Sequence, residues 1–158
     1  MLIEVHTVYA GQEMITVDNY TLTEIQSNNP FASHYKVTFV LPQYINVSNI
    51  ETITLKAKAI GDDMATFYYD SSFSYLSKIG SVSPHFTETD PPQEGSFNLD
   101  KNRVKIEGST LNLYMSVSDY NDPFGEVNPE SIDMQLTITY NAPGTSQASQ
   151  EHQFLYQQ

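Results

Sequence analysis

Apolar and polar residues alternate one by one along three long stretches of the sequence. These stretches are 52–59, 111–118 and 132–140. Successive side chains of a β-strand point to opposite faces, so this period of two buries one face and leaves the other in water. Thr, Val, Ile and Tyr crowd most other windows, and these residues are weak helix formers. The alternation therefore predicts an all-β protein built from antiparallel sheets.

Turn signals divide the chain into eight or nine short strands. Gly, Pro, Asn and Asp recur between the alternating stretches, as at 28–30, 61–63 and 90–92,. The spacing predicts a two-sheet sandwich that is jelly-roll-like, with an immunoglobulin-like sandwich as the alternative. The jelly roll is favoured because there are more than seven strands and the connection 77–102 is long. The predicted strands are approximately 2–9, 13–25 (bent or split), 35–41, 50–60, 65–70, 73–76, 103–107, 110–118 and 132–140.

Two segments fall outside this regular pattern, the connection 77–102 and the C-terminus. We expect residues 1–140 to form the β-sandwich domain and 141–158 to form a flexible C-terminal tail, because 141–150 has the composition of a linker,. The tail ends in a short aromatic segment. Large apolar side chains in such segments are candidates for contact with a partner protein. The predicted partner-binding residues are Phe86, Phe154, Leu155 and Tyr156.

The charge balance narrows the range of partners. Seven Lys and Arg against nineteen Asp and Glu give a formal net charge of −12, and the basic residues are scattered singly. A phosphate backbone or an anionic membrane would be repelled by this charge. We therefore expect no direct binding of nucleic acid and no docking on a membrane.

Few residue patterns in the sequence indicate catalysis. The chain has no cysteine, and its four histidines show neither of the close spacings, H-x-H and H-x-x-x-H, of paired metal ligands,. No Gly-x-Ser-x-Gly nucleophile motif is present,. We expect a protein that is not an enzyme, has no catalytic residues and needs no cofactor for a reaction.

An acidic loop near residue 120 is the one candidate metal site. Asp119, Asp122 and Glu126 supply several carboxylate oxygens there, which are ligands that Ca²⁺ prefers,. The Asp62–Asp63 pair is a possible second contributor. The alternative is an acidic turn that is only solvated, since the loop does not have the residue order of an EF-hand.

Aromatic residues fall on both faces of two adjoining predicted strands. Tyr68 and Tyr69 are consecutive, Phe73 and Tyr75 follow them, and Tyr114 lies on the polar side of its strand. Three interpretations stay open. Another subunit covers one outer face, the rings form a platform that stacks on sugars, or an edge strand lies under a loop.

Parts of the sequence resemble a known class of virion proteins. Residues 45–59, 111–119 and 128–140 look like sheet strands of jelly-roll proteins from tailed bacteriophage particles, and the resemblance covers about 45–140. It implies a non-enzymatic structural component, such as a capsid decoration or cement protein or a part of the tail or fibres. Carbohydrate-binding modules of the same fold show similar patterns, although this chain has no Trp to stack on sugars.

The sequence thus predicts a virion structural protein that acts through contacts with other virion subunits and with copies of itself as a homo-oligomer. Its predicted location is the virion. The alternative is a carbohydrate-binding or adhesin module, with or without dependence on Ca²⁺, at the cell surface or outside the cell.

Overall fold

The computed structural model describes residues 11–142 of the chain, which form two antiparallel β-sheets. Two single-turn 3₁₀ helices, Tyr75–Ser77 and Pro129–Ser131, precede strands in the described part. The strands are β1 Gln12–Val17, β2 Tyr20–Ile25, β3 Ser33–Val40, β4 Ile50–Ala59, β5 Asp63–Tyr68, β6 Lys78–Val82, β7 Glu94–Leu99, β8 Lys105–Glu107, β9 Thr110–Asp119 and β10 Ile132–Asn141.

The strand order is that of a jelly roll with two additional strands. One sheet has the order β1-β10-β4-β7, and the other has the order β2-β3-β9-β5-β6, with the short β8 also paired to β9. Without β2 and β8, each sheet has four strands, and neighbours in a sheet are mostly far apart in sequence. This arrangement confirms the predicted antiparallel two-sheet sandwich.

The core lies between the two sheets and is filled by the alternating apolar residues that the sequence pattern identified. Leu55 of β4 and Leu136 of β10 face inward from the smaller sheet, and both are fully buried. Phe67 of β5 and Met115 of β9 face them from the larger sheet and are also fully buried. The same strands direct their polar residues outward, to the outer faces of the two sheets,.

Two strand predictions were wrong, and both errors concern the chain between β5 and β8. Residues 73–76 form a turn and the start of a 3₁₀ helix rather than a strand. The connection 77–102 contains β6 and β7, so its irregular parts are 83–93 and the turn that begins at 100. Gly80 and Gly95 weaken the strand signal in these segments, since glycine is depleted in strands. The stretch 13–25 was predicted to be a strand that is either bent or split, and the structure splits it into β1 and β2.

Several predictions concern residues outside the described range. The strand at 2–9, and the aromatic residues Phe154, Leu155 and Tyr156 of the predicted tail, belong to this group. β10 includes Asn141, whose amide donates to the carbonyl of Asn49 over 2.8 Å.

Among the described residues, no helix has the length and apolar character needed to cross a membrane.

Candidate functional site

The outer face of the larger sheet carries a row of aromatic side chains. Antiparallel pairing places Tyr68 of β5 opposite Tyr114 of β9, and Ser116 of β9 opposite His34 of β3. Residues opposite each other share a face of the sheet, so these four side chains form one continuous patch. All four are half-buried.

A turn after β5 adds a fifth side chain, Phe73, to this patch. The carboxylate of Asp70 accepts hydrogen bonds from the backbone amide of Ser72 over 3.0 Å and from its hydroxyl over 2.5 Å. The Ser72 hydroxyl in turn accepts from the amide of Ser74 over 3.2 Å. Within this turn Phe73 has a φ of 51°, a left-handed conformation that bulky residues rarely adopt,. Backbone strain is tolerated where the surroundings favour it, and here it directs the Phe73 ring back onto the sheet.

The Phe73 ring contacts three of the sheet residues. It stacks on the imidazole of His34 with centroids 3.7 Å apart and planes inclined by 17°. It also makes edge contacts with Tyr68, at a centroid distance of 5.2 Å, and with Tyr114, at 6.2 Å. We call these four residues the aromatic cluster.

A groove of about 550 Å³ runs along the aromatic cluster. Its wall combines two aromatic rings and an imidazole with amides and hydroxyls, and none of the lining residues is Asp, Glu, Lys or Arg. Such a lining suits a neutral ligand that offers both an apolar face and hydroxyl groups. The lining residues are Ile25, Gln26, Asn28, Asn29, His34, Tyr68, Ser71, Ser72, Phe73 and Ser116.

The titratable groups of the groove are neutral near pH 7. Burial lowers the pKa of His34 below its ordinary value of 6.5, so the imidazole is uncharged. Burial also raises the pKa of Tyr68 above its ordinary value of 10. Both shifts arise because removal from water penalises the charged form. The groove therefore presents hydrogen-bonding groups without net charge.

The sequence identified part of this cluster and missed the rest. Tyr68 and Tyr114 lie on the outer face, whereas Tyr69 points inward and its hydroxyl accepts from the amide of Asp100 over 2.8 Å. Tyr75 is 84% exposed. His34 carried no signal of its own in the sequence, because its position beside Ser116 depends on the pairing of β3 with β9.

Three carboxylates meet at one end of the same sheet. Asp62 and Asp63 stand at the start of β5, and Asp63 is paired with Asp119 at the end of β9. One oxygen from each of the three carboxylates lies within 4.8 Å of the other two. We call Asp62, Asp63 and Asp119 the carboxylate triad.

Asp63 is the buried member of the triad. Its side chain is 1% exposed, and its Oδ2 accepts from the amide of Asn128 over 2.6 Å and from the hydroxyl of Ser131 over 3.2 Å. Its Oδ1 is buried and has no hydrogen-bond partner in the described part of the chain. Burial is the main cause that raises the pKa of Asp63; the nearby Asp62 and Asp119 raise it further, and the two hydrogen bonds act in the opposite direction.

The structure combines the predicted metal ligand Asp119 with Asp62 and Asp63 rather than with Asp122 and Glu126. The Oδ1 of Asp119 accepts from the amides of Asn121 and Asp122, over 3.0 and 2.9 Å. Asp122 uses its own Oδ1 to accept from the amide of Phe124 over 2.9 Å. Glu126 lines a separate depression and does not belong to the triad. The sequence had named the pair 62–63 only as a possible second contributor.

Phe86, the one predicted partner-binding residue in the described range, lies in the loop between β6 and β7. It is 61% exposed, and its ring contacts that of Tyr120 with centroids 5.3 Å apart. Asp90 closes the loop by accepting from the amides of Phe86 and Thr87 over 2.8 Å each and from the hydroxyl of Tyr120. Partner binding by Phe86 stays a prediction.

No protein-family model matches the chain. No curated protein matches it either.

Three solved structures are similar to the chain at low sequence identity. One is the xylan-binding module CBM86 of the gut symbiont Roseburia intestinalis, with 11% identity over 84% of this chain and 96% of that one, and a TM-score of 0.30. Another is a variant of the family 29 carbohydrate-binding module CBM29-2, with 9% identity over 94% and 99% of the two chains and a TM-score of 0.27. A third is a second variant of CBM29-2 in complex with cellulohexaose, with 8% identity over 82% and 80% and a TM-score of 0.23.

These comparisons correct one prediction. The similar structures are carbohydrate-binding modules, which contradicts the sequence-based prediction of a virion structural protein. The predicted virion partners and virion location have no support in these comparisons. At such low identities the likeness concerns the fold, a β-sandwich.

Proposed function

We propose that this protein is a non-enzymatic carbohydrate-binding module that binds a neutral glycan in the groove beside the aromatic cluster. Its place of action is then outside the cell or at the cell surface, where glycans are found. The observation that carries the proposal is the groove lining, in which aromatic rings lie beside amides and hydroxyls without a charged residue.

The chemistry of a sugar matches this lining. A pyranose ring has an apolar face of C–H groups, which packs on an aromatic ring, and an edge of hydroxyls, which needs hydrogen-bond partners once it leaves water. Phe73 and Tyr68 supply the rings. The amides of Gln26, Asn28 and Asn29 each offer donors and an acceptor, as hydroxyls require.

Two other depressions on the described surface suit a neutral sugar less well. On the outer face of the smaller sheet, one of about 250 Å³ is lined by charged residues, including Lys56, Lys58 and Glu94, and has no aromatic ring. A depression of about 410 Å³ contains Phe31 and Phe124 but also the carboxylates of Glu24 and Glu126. A charged lining disfavours a neutral ligand, because binding removes water from the charged groups. A neutral ligand offers no opposite charge to compensate the free-energy cost of that desolvation.

The same lining argues for binding without catalysis. Hydrolysis of a glycosidic bond usually requires two carboxyl groups on either side of the bond. No residue that lines the groove carries a carboxyl group.

The test is isothermal titration calorimetry of the full chain with soluble xylan and with cellohexaose, together with a glycan array for other sugars. We expect a neutral glycan to bind, and we expect Phe73→Ala to raise its Kd at least about tenfold, the effect of an interface residue whose loss costs about 1.4 kcal/mol. Ser116→Gln, which fills the groove from an outward position of β9, should weaken binding as well.

Phe86→Ala is the matched control, since it removes an exposed ring outside the groove and should leave the Kd within about twofold. An array without any hit contradicts the proposal. So does a glycan whose affinity is unchanged in both Phe73→Ala and Ser116→Gln.

A further inference from the structure

We propose that the carboxylate triad of Asp62, Asp63 and Asp119 binds a Ca²⁺ ion that ties β5 and β9 to the loops 120–125 and 128–131. This site lies apart from the glycan groove, shares no residue with its lining, and does not depend on glycan binding.

The buried oxygen of Asp63 is the first argument. Buried polar atoms in folded proteins nearly always have a partner, and an unpaired one costs stability. Asp63 is only 1% exposed to solvent, yet its Oδ1 has no hydrogen-bond partner among the described residues. A cation would provide that partner.

The spacing of the carboxylates is the second argument. Oxygens that bind one Ca²⁺ lie about 2.3–2.6 Å from the ion, so two of them on opposite sides are about 4.6–5.2 Å apart. The three triad oxygens lie within 4.8 Å of one another, so a single ion can reach all of them. Without a cation, three carboxylates at this distance repel one another.

The ligand chemistry selects Ca²⁺ among the common cations. The triad offers only oxygen, which hard cations prefer, and it contains neither histidine nor cysteine for zinc,. Ca²⁺ accepts irregular sets of six to eight oxygens, whereas Mg²⁺ demands a near-ideal octahedron. Asp62 is exposed and Asp119 half-buried, so water can complete the coordination from the solvent side.

The contacts around the triad indicate what the ion would hold together. The Oδ2 of Asp63 is bonded to Asn128 and Ser131, and the Oδ1 of Asp119 is bonded to the amides of Asn121 and Asp122. Each carboxylate thus uses one oxygen to hold a loop and has the other left for a ligand. An ion shared by Asp63 and Asp119 would therefore connect both loops to the ends of two central strands.

The experiment uses the full chain after treatment with EDTA and dialysis. Adding CaCl₂ should raise the Tm by about 5–10 °C at a hundred times Kd, because the ligand binds only the folded state. Calorimetry should give one Ca²⁺ per chain, and Tb³⁺ luminescence excited through tyrosine should be displaced by Ca²⁺. If millimolar CaCl₂ changes neither the Tm nor the calorimetric signal, the proposal is wrong.

Asp119→Asn is the decisive variant, since an amide oxygen can still accept from Asn121 and Asp122 while the charge is lost. We expect a Ca²⁺ affinity at least tenfold lower, and in EDTA a Tm equal to or above that of the wild type, because one repelling charge is gone. Asp62→Asn should behave in the same way.

Two controls separate this site from other acidic groups. Asp133→Asn changes an exposed carboxylate on the smaller sheet, and Asp122→Asn changes an acidic residue of the neighbouring loop outside the triad. Both variants should keep the Ca²⁺-dependent rise in Tm. A rise that persists in Asp119→Asn and disappears in Asp122→Asn would replace the triad by a site on the loop.

Discussion

The imidazole of His34 lies flat against the ring of Phe73, with centroids 3.7 Å apart and planes inclined by 17°. His34 belongs to a strand of the larger sheet, whereas Phe73 belongs to a turn almost forty positions further along the chain. The stack therefore fixes the turn against the sheet and forms one wall of the proposed glycan groove.

This stack should control the titration of His34. Burial lowers the pKa of the imidazole, so the stability that this group contributes is present above the unfolded pKa of about 6.5 and is lost as the pH falls through the folded pKa,. Phe73→Ala uncovers the imidazole and should raise its pKa towards 6.5, as measured by an NMR titration. Phe86→Ala should leave that pKa unchanged. An unaltered pKa in Phe73→Ala would show that other neighbours bury His34.

The left-handed backbone of Phe73 should make the free energy of unfolding differ between two variants at this position. A side chain at a φ of 51° costs about 1 kcal/mol relative to glycine,. Phe73→Gly should therefore be more stable than Phe73→Ala by about that amount in urea denaturation. At Ser71, which has no positive φ, the order should reverse, because glycine there only adds freedom to the unfolded chain. The same order at both positions would contradict this expectation.

The turn that carries Phe73 should depend on the hydrogen bonds of Asp70. The hydroxyl and the amide of Ser72 lower the pKa of Asp70, so their stabilisation is present above the unfolded pKa of about 3.9 and is lost as the pH falls through the folded value,. Ser72→Ala removes the hydroxyl and should raise the pKa of Asp70, as followed by NMR of its carboxyl carbon. Ser71→Ala, which removes a neighbouring hydroxyl without a bond to Asp70, is the control and should produce no shift.

Gly80 should tolerate no side chain, because the ring of Phe97 lies directly over it. A Cβ at Gly80 would come within 2.4 and 2.6 Å of two atoms of the Phe97 ring. Gly80→Ala should reduce the free energy of unfolding by about 1–3 kcal/mol, the usual cost of overpacking. In a Phe97→Leu background the loss should be smaller, which a double-mutant cycle in urea can measure. Equal losses in both backgrounds would mean that another contact is responsible.

Gly125 should affect the proposed Ca²⁺ site through Asp119. A Cβ at this position would lie 2.5 Å from the Oδ2 of Asp119, the carboxylate oxygen that accepts neither of the two turn hydrogen bonds. Gly125→Ala must displace that oxygen, so we expect a lower Ca²⁺ affinity by calorimetry and a smaller Ca²⁺-dependent rise in Tm. Pro123→Ala, in the same loop, should keep both values near those of the wild type.

Weak strand signals explain the errors in the predicted fold. β6 and β7 each contain a glycine, and these glycines leave room at Gly80 and Gly95 for the ring of Phe97, where the edge strands of the two sheets meet. The alternation pattern depends only on the residues within one strand. It therefore cannot indicate that the space above a glycine is filled by a side chain from elsewhere, as the Phe97 ring does here. The two strands were therefore assigned to a long connection, whereas strands with strict alternation, such as β4, β9 and β10, were predicted within a residue or two.

The sequence by itself determined that this chain forms two antiparallel sheets, because alternation along a strand depends only on neighbouring residues. It also indicated outward-facing tyrosines and an acidic loop. Only the tertiary structure decided which of these residues meet. The pairing of β3, β9 and β5 brings His34, Tyr114 and Tyr68 under Phe73, and the pairing of β5 with β9 brings Asp63 to Asp119. Strand order over such distances is selected by the packing of the whole core, so no local pattern contains it.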